Sequence, residues 1–466
     1  MVSKIQGFSY FLLLLTLPIN GLFAQNQFSK KEVLEDLSHL KSALEEAHYN
    51  LYFYTPKAEF EAHYEAVRSQ IQKDSFNLLK TTSLFQKVIS KVDNGHTFIS
   101  FPGASYREYA YAGGTLFPLE IAFENGKSLV RKNWSNNEHI TLGSEIISIN
   151  GHSIREILEK MYPLISAERM YFKKAKIELT SFPRLYWQVF GEQDQFTVEI
   201  KENGVVTPYK LPAINLIDDY EMKRVEVIQP QMDLKILDDT AYLNPGGFGG
   251  DEPKYRQFID SSFAVIKNQK SKNLIIDLRN NPGGDDSFSD YLVSYIANKP
   301  FSWNSSFKLK TSKILKEHVR KQYDTTKVFW KEVLTRQDGE IYEYPFDNYE
   351  PQSEAKRFTG KVYVLVNRQS HSQSTVTAAQ IQDHGFGTIV GEETGEYPSL
   401  IASIFHFELP NTKIPVNISK GRIIRVNGNT EPKGVIPDII IQDHLLDEKD
   451  EILEGLLLHI NSKMEP

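Results

Sequence analysis

The chain has no cysteine among its 466 residues. Disulfide bonds, thiolate metal ligands, cysteine nucleophiles and a cysteine-borne lipid anchor are therefore excluded. It also has no excess of basic residues, since 53 Lys and Arg stand against 60 Asp and Glu, a net charge of −7. This mild acidity argues against a nucleic-acid partner, which usually requires a basic surface. The composition is otherwise that of a globular protein, and the length suggests more than one domain.

Long apolar runs are scarce, and the one that stands out lies near the N-terminus. Lys4 supplies a positive charge ahead of the apolar run Phe8–Leu17, and Ala24 precedes a polar stretch. This pattern predicts a secretory signal peptide over residues 1–24, cleaved near Ala24. An uncleaved anchor is the alternative, but the run is short for crossing a bilayer. We therefore expect an exported protein, periplasmic or secreted, without a stable membrane span after cleavage.

Three kinds of pattern divide the rest of the chain. Apolar residues at three- and four-residue steps predict a helical N-terminal cap over residues 25–105. Residues 106–220 alternate as β-strands do, and the apolar strand that runs into the Asn-Gly turn at 150–151 resembles a PDZ domain, although any β-hairpin with such a turn is the alternative. Residues 221–466 alternate apolar strands with helices and end in a closing helix, which predicts an α/β core.

Three serines follow a buried-type strand of this core. The strand Val362–Val366 precedes Ser370, Ser372 and Ser374, and a helical run begins at Thr375. A serine at a helix N-terminus faces free N–H groups and the positive end of the helix dipole, which favour the negative charge that develops in acyl transfer. Serine is also the ordinary helix N-cap, so capping is the alternative role.

A second turn of interest, Asp277–Gly284, follows another apolar strand. It reads Asp-Leu-Arg-Asn-Asn-Pro-Gly-Gly. Adjacent glycines allow the backbone to approach a ligand closely and to present N–H groups to it. A simple reversal of the chain is the alternative.

Together these segments resemble peptidase family S41, the C-terminal or tail-specific processing proteases. The similarity rests on the Asp277–Gly284 turn, the Ser-x-Ser-x-Ser run and the later Gly-Val-Ile-Pro-Asp sequence at 434–438, in that order. It implies an α/β core (ClpP/crotonase-like) with a PDZ-like β-rich module and a helical N-terminal cap. It further implies Ser372 as the nucleophile. The oxyanion hole would come from the amide of Gln373 and that of Gly283 or Gly284.

One branch of the family places a catalytic lysine after its Gly-Glu-x-Thr segment, and that lysine is absent. The segment here is Gly391–Tyr397, and no lysine occurs between Lys361 and Lys413. A serine hydroxyl is a weak nucleophile without a base. The tricorn-like branch uses an upstream histidine instead, and the sequence Asp-Asn-Gly-His-Thr at 93–97 is similar to its Asp-Gly-His-Thr segment. The resemblance therefore implies His96 as the general base.

The resemblance also implies an orienting carboxylate, Glu431, which stands just before the Gly-Val-Ile-Pro-Asp sequence. A solvated turn carboxylate is the alternative for Glu431, and a histidine stabilised by a helix C-terminus is the alternative for His96. His371 adjoins Ser372, but neighbours in a tight turn seldom face each other.

A further polar residue beside the histidine is left open, with Asn94 and Thr97 as candidates. No zinc-peptidase His-Glu-x-x-His, Gly-x-Ser-x-Gly or Walker sequence occurs, so we expect neither a metal nor an organic cofactor.

We expect an exported serine endopeptidase that cleaves polypeptides, unfolded or at C-terminal tails, through an acyl-enzyme. The alternative is a non-catalytic protein that binds peptides or hydrophobic ligands on the same fold. An esterase is a third possibility.

Overall fold

The computed structural model describes residues 27–224 and 231–462. The predicted signal peptide lies outside the described residues. Within those two ranges, no helix combines the length and the apolar character needed to cross a membrane.

The N-terminal part is a cap of helices. Helix α1 begins at a capping box, in which the Ser29 hydroxyl accepts from the Glu32 amide at 3.3 Å and the Glu32 carboxylate accepts from the Ser29 amide at 2.8 Å. The predicted apolar stripe is buried, since Leu37, Leu40 and Leu44 are fully enclosed. The elements are β1 (Gln27–Ser29), α1 (Lys30–Ala47), α2 (Lys57–Arg68), β2 (Ser75–Asn77), α3 (Leu78–Ser90) and α4 (Gly103–Tyr111).

A β-rich module follows, built on an antiparallel sheet in the order β4-β5-β6-β8-β9. The Asn-Gly turn reverses the chain between β6 and β7, with positive φ at both residues (51° and 78°), as a tight hairpin requires. The elements are β3 (Thr115–Leu116), β4 (Leu119–Glu124), β5 (Lys127–Asn133), β6 (Glu145–Ile149), β7 (His152–Ser153), α5 (Ile154–Met161), α6 (Met170–Thr180), α7 (Phe182–Phe190), β8 (Gln195–Glu202), β9 (Val205–Pro212) and β10 (Ile214–Asn215).

The core is a six-stranded sheet in the order β11-β12-β13-β16-β17-β20, parallel from β12 onward. A second sheet, β15-β14-β19-β18, packs against the helical cap in a shared hydrophobic core. The elements are β11 (Met232–Leu237), β12 (Thr240–Pro245), α8 (Glu252–Asn268), β13 (Asn273–Asp277), α9 (Asp286–Ser294), β14 (Ser306–Lys310), α10 (Lys313–Gln322), α11 (Val328–Thr335), β15 (Ile341–Glu343), β16 (Lys361–Val366), α12 (Gln373–His384), β17 (Thr388–Gly391), β18 (Leu400–Glu408), β19 (Pro415–Ile424), β20 (Ile439–Ile440) and α13 (Glu451–Ser462).

The predicted fold class, an α/β core with a β-rich module and a helical cap, is confirmed, whereas the domain limits at residues 105 and 220 stay predictions. Strands β13 and β16 are parallel neighbours in register, Asp277 opposite Leu365. The carboxyl ends of parallel strands meet at one edge of a sheet. The glycine turn and the serine turn therefore lie side by side, joined by a hydrogen bond from the His371 amide to the Asn281 carbonyl at 3.0 Å.

A buried ion-pair cluster joins the β-rich module to the core. The Arg368 guanidinium, on the loop after β16, donates to Glu178 of α6 at 2.8 Å and to Glu392 at 2.7 Å. Glu178 also accepts from the Phe123 amide of β4 at 2.7 Å. All three charged side chains are buried, so each depends on the others for the hydrogen bonds that water would supply.

We expect Arg368→Met to destabilise the protein by about 3–5 kcal/mol, because it leaves two buried carboxylates without their cation. Urea unfolding followed by circular dichroism measures the change. The matched control is Arg155→Met, which removes an exposed arginine paired with Glu159 on one helix and should leave the unfolding midpoint unchanged. Equal stability of the two variants would contradict the role of the cluster.

Candidate active site

Ser372 occupies a strained backbone position at the start of α12. Its φ and ψ angles are 54° and −127°, a conformation that non-glycine residues rarely adopt. It stands at the N-cap position, yet its side chain makes no capping hydrogen bond. Its hydroxyl makes no hydrogen bond among the described residues. Helix capping, the alternative role that the sequence left open for this serine, is therefore not observed.

The two flanking serines have structural partners. The Ser370 hydroxyl donates to the Leu278 carbonyl at 2.8 Å and accepts from the Asn367 amide at 3.1 Å. The Ser374 hydroxyl donates to the same Leu278 carbonyl at 3.2 Å. Both serines thus tie the serine turn to the end of β13, and of the three hydroxyls only that of Ser372 makes no hydrogen bond among the described residues.

A fully buried carboxylate, Glu396, links Ser372 to His96. Its Oε2 accepts from the Ser372 amide at 2.6 Å, and its Oε1 lies 2.8 Å from Nδ1 of His96. Burial alone would raise the pKa of Glu396, but His371, His96 and the Ser372 amide together lower that pKa to about 2. Glu396 is therefore charged at neutral pH and favours a proton on Nδ1 of His96, which directs the lone pair to Nε2.

The turn that carries His96 is held by a buried polar network. Oδ1 of Asn94 accepts from the hydroxyls of Thr97 at 2.8 Å and Ser419 at 2.7 Å, and its Nδ2 donates to the Ile401 carbonyl at 2.8 Å. Ser419 belongs to β19, so the network fastens the cap to the second sheet. Asn94 and Thr97, the candidates for a further polar residue, thus position the turn.

Two residues of the site come from the β-rich module, and no sequence motif marks either of them. Glu168 accepts from the Gly95 amide at 2.7 Å, while burial and the nearby Glu396 raise its pKa. Lys176 of α6 donates to the carbonyls of Ser166 at 2.7 Å and Gly95 at 3.2 Å, and burial lowers its pKa. A lysine therefore reaches this site from far upstream, although none lies near Glu396 in the sequence.

His371 contacts the other side chains of the site, although its position next to Ser372 in a tight turn suggested that its ring would face away. Its ring stacks on that of His96, with centroids 4.8 Å apart and planes 12° apart, and its Nε2 lies 3.6 Å from Oε1 of Glu396. Burial lowers the pKa of His371 to about 3, so its imidazole is neutral at neutral pH.

The same three side chains are the ones whose donor atoms could surround a metal ion, since these atoms lie within 4.8 Å of one another. Imidazole nitrogens bind metals along lone pairs in the ring plane. Two nearly parallel stacked rings cannot both aim such lone pairs at one ion between them. His96, His371 and Glu396 therefore suit proton transfer better than metal binding in this arrangement.

The glycine turn presents backbone amides beside Ser372. A Cβ on Gly283 would lie 2.6 Å from the Gln373 nitrogen and 2.7 Å from Cβ of Ser372, so only glycine allows this approach. The Gly283 amide is occupied, since it donates to Oδ1 of Asn281 at 2.8 Å. The amides of Gly284 and Gln373 have no acceptor in the part of the chain that the structure describes. Of the two glycines that the sequence left open, Gly284 is thus the one whose amide has no acceptor among the described residues.

Glu431 lies apart from the group of side chains around His96. Its side chain is 62% exposed and pairs with Lys433 at 3.3 Å, and its amide donates to Oδ1 of Asn429. The carboxylate beside His96 is Glu396 instead. The Asn429–Lys433 turn faces solvent. Sequence position alone could not reveal this, because the way a turn packs depends on the tertiary structure.

Buried His48 should make stability depend on pH. Its Nδ1 accepts from the Asn50 amide at 3.2 Å and its Nε2 faces Oδ1 of Asn94 at 3.4 Å, while burial lowers its pKa to about 4. The unfolded chain therefore binds the proton more readily, and stability is lost as pH falls from about 6.5 toward 4, by up to about 1.4 kcal/mol per pH unit.

Urea unfolding between pH 7 and pH 4 tests this expectation. His48→Asn should make the pH dependence shallower while leaving the share that buried His371 contributes, whereas the same substitution at exposed His152 should leave it as in the wild type. An unchanged slope in His48→Asn would contradict the assignment.

Two sequence comparisons both point to peptidases. Residues 239–441 match the model of Peptidase family S41. The tail-specific protease of Haemophilus influenzae is 26% identical over 191 residues, which are 40% of this chain and 22% of that protein. The chain thus spans less than a quarter of the length of this curated relative.

Solved structures agree in fold. Mature CPAF complexed with lactacystin superposes with a TM-score of 0.63 at 15% identity, over 93% of this chain and 97% of that chain. Another structure of mature CPAF gives a TM-score of 0.59 at 14% identity, over 88% and 92% of the two chains. At such identities the likeness concerns the fold alone. The match to peptidase family S41 thus lies in residues 239–441, the part of the chain that carries Asp277–Gly284, Ser372 and Glu396.

Proposed function

We propose that the protein is a serine endopeptidase in which Ser372 is the nucleophile, His96 the general base and Glu396 the orienting carboxylate. The observation that carries the proposal is the double contact of Glu396, with the Ser372 amide on one side and the His96 ring on the other. Glu396 thereby takes the role that the family resemblance implied for Glu431. The uncommitted hydroxyl of Ser372 and its strained backbone support the same reading.

In the proposed reaction the Ser372 hydroxyl attacks the carbonyl carbon of the peptide bond while its proton passes to Nε2 of His96. The carbonyl oxygen becomes an anion that the Gly284 and Gln373 amides and the positive end of α12 stabilise. His96 then gives the proton to the leaving amine, and an acyl group remains on Ser372. Water, deprotonated by His96, hydrolyses the acyl-enzyme and restores the serine.

His96 is prepared for this role by its surroundings. Its Nδ1 lies 2.8 Å from Oε1 of Glu396, although neither ring nitrogen makes a hydrogen bond of good geometry among the described residues, so Nε2 is open to accept a proton. Protonation of His96 during the reaction would place a positive charge next to the buried carboxylate of Glu396, which favours it. His371 stays neutral on the other face of the ring and adds no competing charge.

The substrates we propose are polypeptides, unfolded or at their C-terminal tails. The edge strand β9 of the β-rich module is largely exposed and could accept an extended peptide by strand addition. We also propose export to the periplasm or secretion, which rests on the signal pattern of residues 1–24. A net charge of −7 gives no support to a nucleic-acid partner.

A serine-directed fluorophosphonate should label Ser372, and mapping of the modified peptide identifies the site. Ser372→Ala should abolish both the labelling and the cleavage of an unfolded protein substrate, because the hydroxyl is the attacking group. Ser374→Ala is the matched control and should retain labelling. Equal cleavage by the wild type and Ser372→Ala, or no cleavage by either, would favour the non-catalytic binder. Turnover of esters without turnover of peptides would favour an esterase.

The two glutamates can be separated by matched substitutions. Glu396→Gln should lower kcat/KM by about 10³- to 10⁴-fold, because a neutral amide neither fixes the His96 tautomer nor stabilises the imidazolium. Glu431→Gln should leave kcat/KM within about threefold of the wild type, since this side chain is solvated. Peptide-cleavage kinetics at pH 7.5 measure both. A large loss in Glu431→Gln with a small one in Glu396→Gln would reverse the assignment.

A further inference from the structure

A cavity lies away from Ser372, between the helical cap and the β-rich module. Its volume is about 850 Å³. Helices α2 and α3 form one wall, and α5, the turn after it and α7 form the other. The apolar part of the lining includes Phe76, Leu84, Leu164, Trp187 and Phe190.

The charged lining of this cavity is entirely basic. It includes Lys73, Lys80, Lys87 and Lys160, and no Asp or Glu. Within residues 27–224 and 231–462 none of these lysines has an ion-pair partner. Two of them contact neutral groups, since Nζ of Lys87 donates to Gln70 at 3.4 Å and Nζ of Lys160 lies 5.0 Å from the centre of the Phe190 ring. Such a cavity complements a molecule that is largely apolar and carries a negative charge.

An acyl chain fits this lining better than a peptide. A peptide brings an N–H and a C=O with every residue, and each needs a partner when buried. The walls are mostly helix side chains, and two of their few neutral polar groups already bond each other, Gln188 to Ser83 at 3.0 Å. A hydrocarbon chain needs only apolar contacts, and its carboxylate would meet the lysines at the rim.

We propose that this cavity binds a single-chain fatty carboxylate, with the acyl chain between the two helical walls and the carboxylate among Lys80, Lys87 and Lys160. The site is distinct from the Ser372 site, and its occupation does not depend on peptidase activity.

Laurate, kept below its micelle concentration, is titrated into the full-length protein by calorimetry and by the fluorescence of Trp187. We expect one saturable site per chain, with the fluorescence change lost in Trp187→Phe. The double variant Lys87→Gln/Lys160→Gln should bind laurate at least about tenfold more weakly, and dodecanol should bind the wild type more weakly by a similar factor. Lys31→Gln, which alters an exposed lysine paired with Glu35 on α1, is the control and should bind as the wild type does.

Three results would overturn the proposal. These are no saturable binding, binding that the double lysine variant leaves unchanged, or displacement of laurate by a peptide with an apolar C-terminus that binds more tightly. Ser372→Ala should bind laurate with unchanged affinity. Failure of the laurate site can therefore be told apart from failure of the proposed peptidase activity.

Discussion

The burial of one carboxylate is the constraint on which the site depends. Glu396 is fully buried, and an isolated charge there would be highly unfavourable. Its charge is tolerated because the Ser372 amide donates a hydrogen bond to one carboxylate oxygen and the His96 ring lies against the other. The same contacts that make the carboxylate possible also set the distance between the serine turn and the histidine turn. The positions of the two turns and the ionisation of Glu396 therefore depend on the same contacts.

Three parts of the chain must come together to form these contacts. The cap supplies His96, the core supplies Ser372 and Glu396, and the β-rich module supplies Glu168 and Lys176. The buried cluster around Arg368 holds the module against the loop after β16, only four residues before Ser372 in the chain. Stability at this interface and order in the site are consequently linked through neighbouring residues.

The sequence predicts the local frame of the site well, because short-range rules govern it. A buried parallel strand, a turn and a helix follow from the apolar run Val362–Val366, the serine-rich turn and the helical run after it. The glycine turn after β13 follows in the same way. Adjacent parallel strands then bring both turns to one sheet edge. The placement of Ser372, Gln373 and Gly284 is therefore accessible from local patterns together with the family resemblance.

What the sequence by itself determined is the class of fold, the identity of the serine turn and the histidine turn, and the absence of cysteine and of a lysine near Glu396. What only the tertiary structure decided is which distant side chains fill the space between those turns. Glu396 rather than Glu431 faces His96, and Lys176 arrives from another module. The physical reason is that backbone conformation depends on neighbours in sequence, whereas the partner of a buried charge depends on how separate elements pack, which no local pattern records.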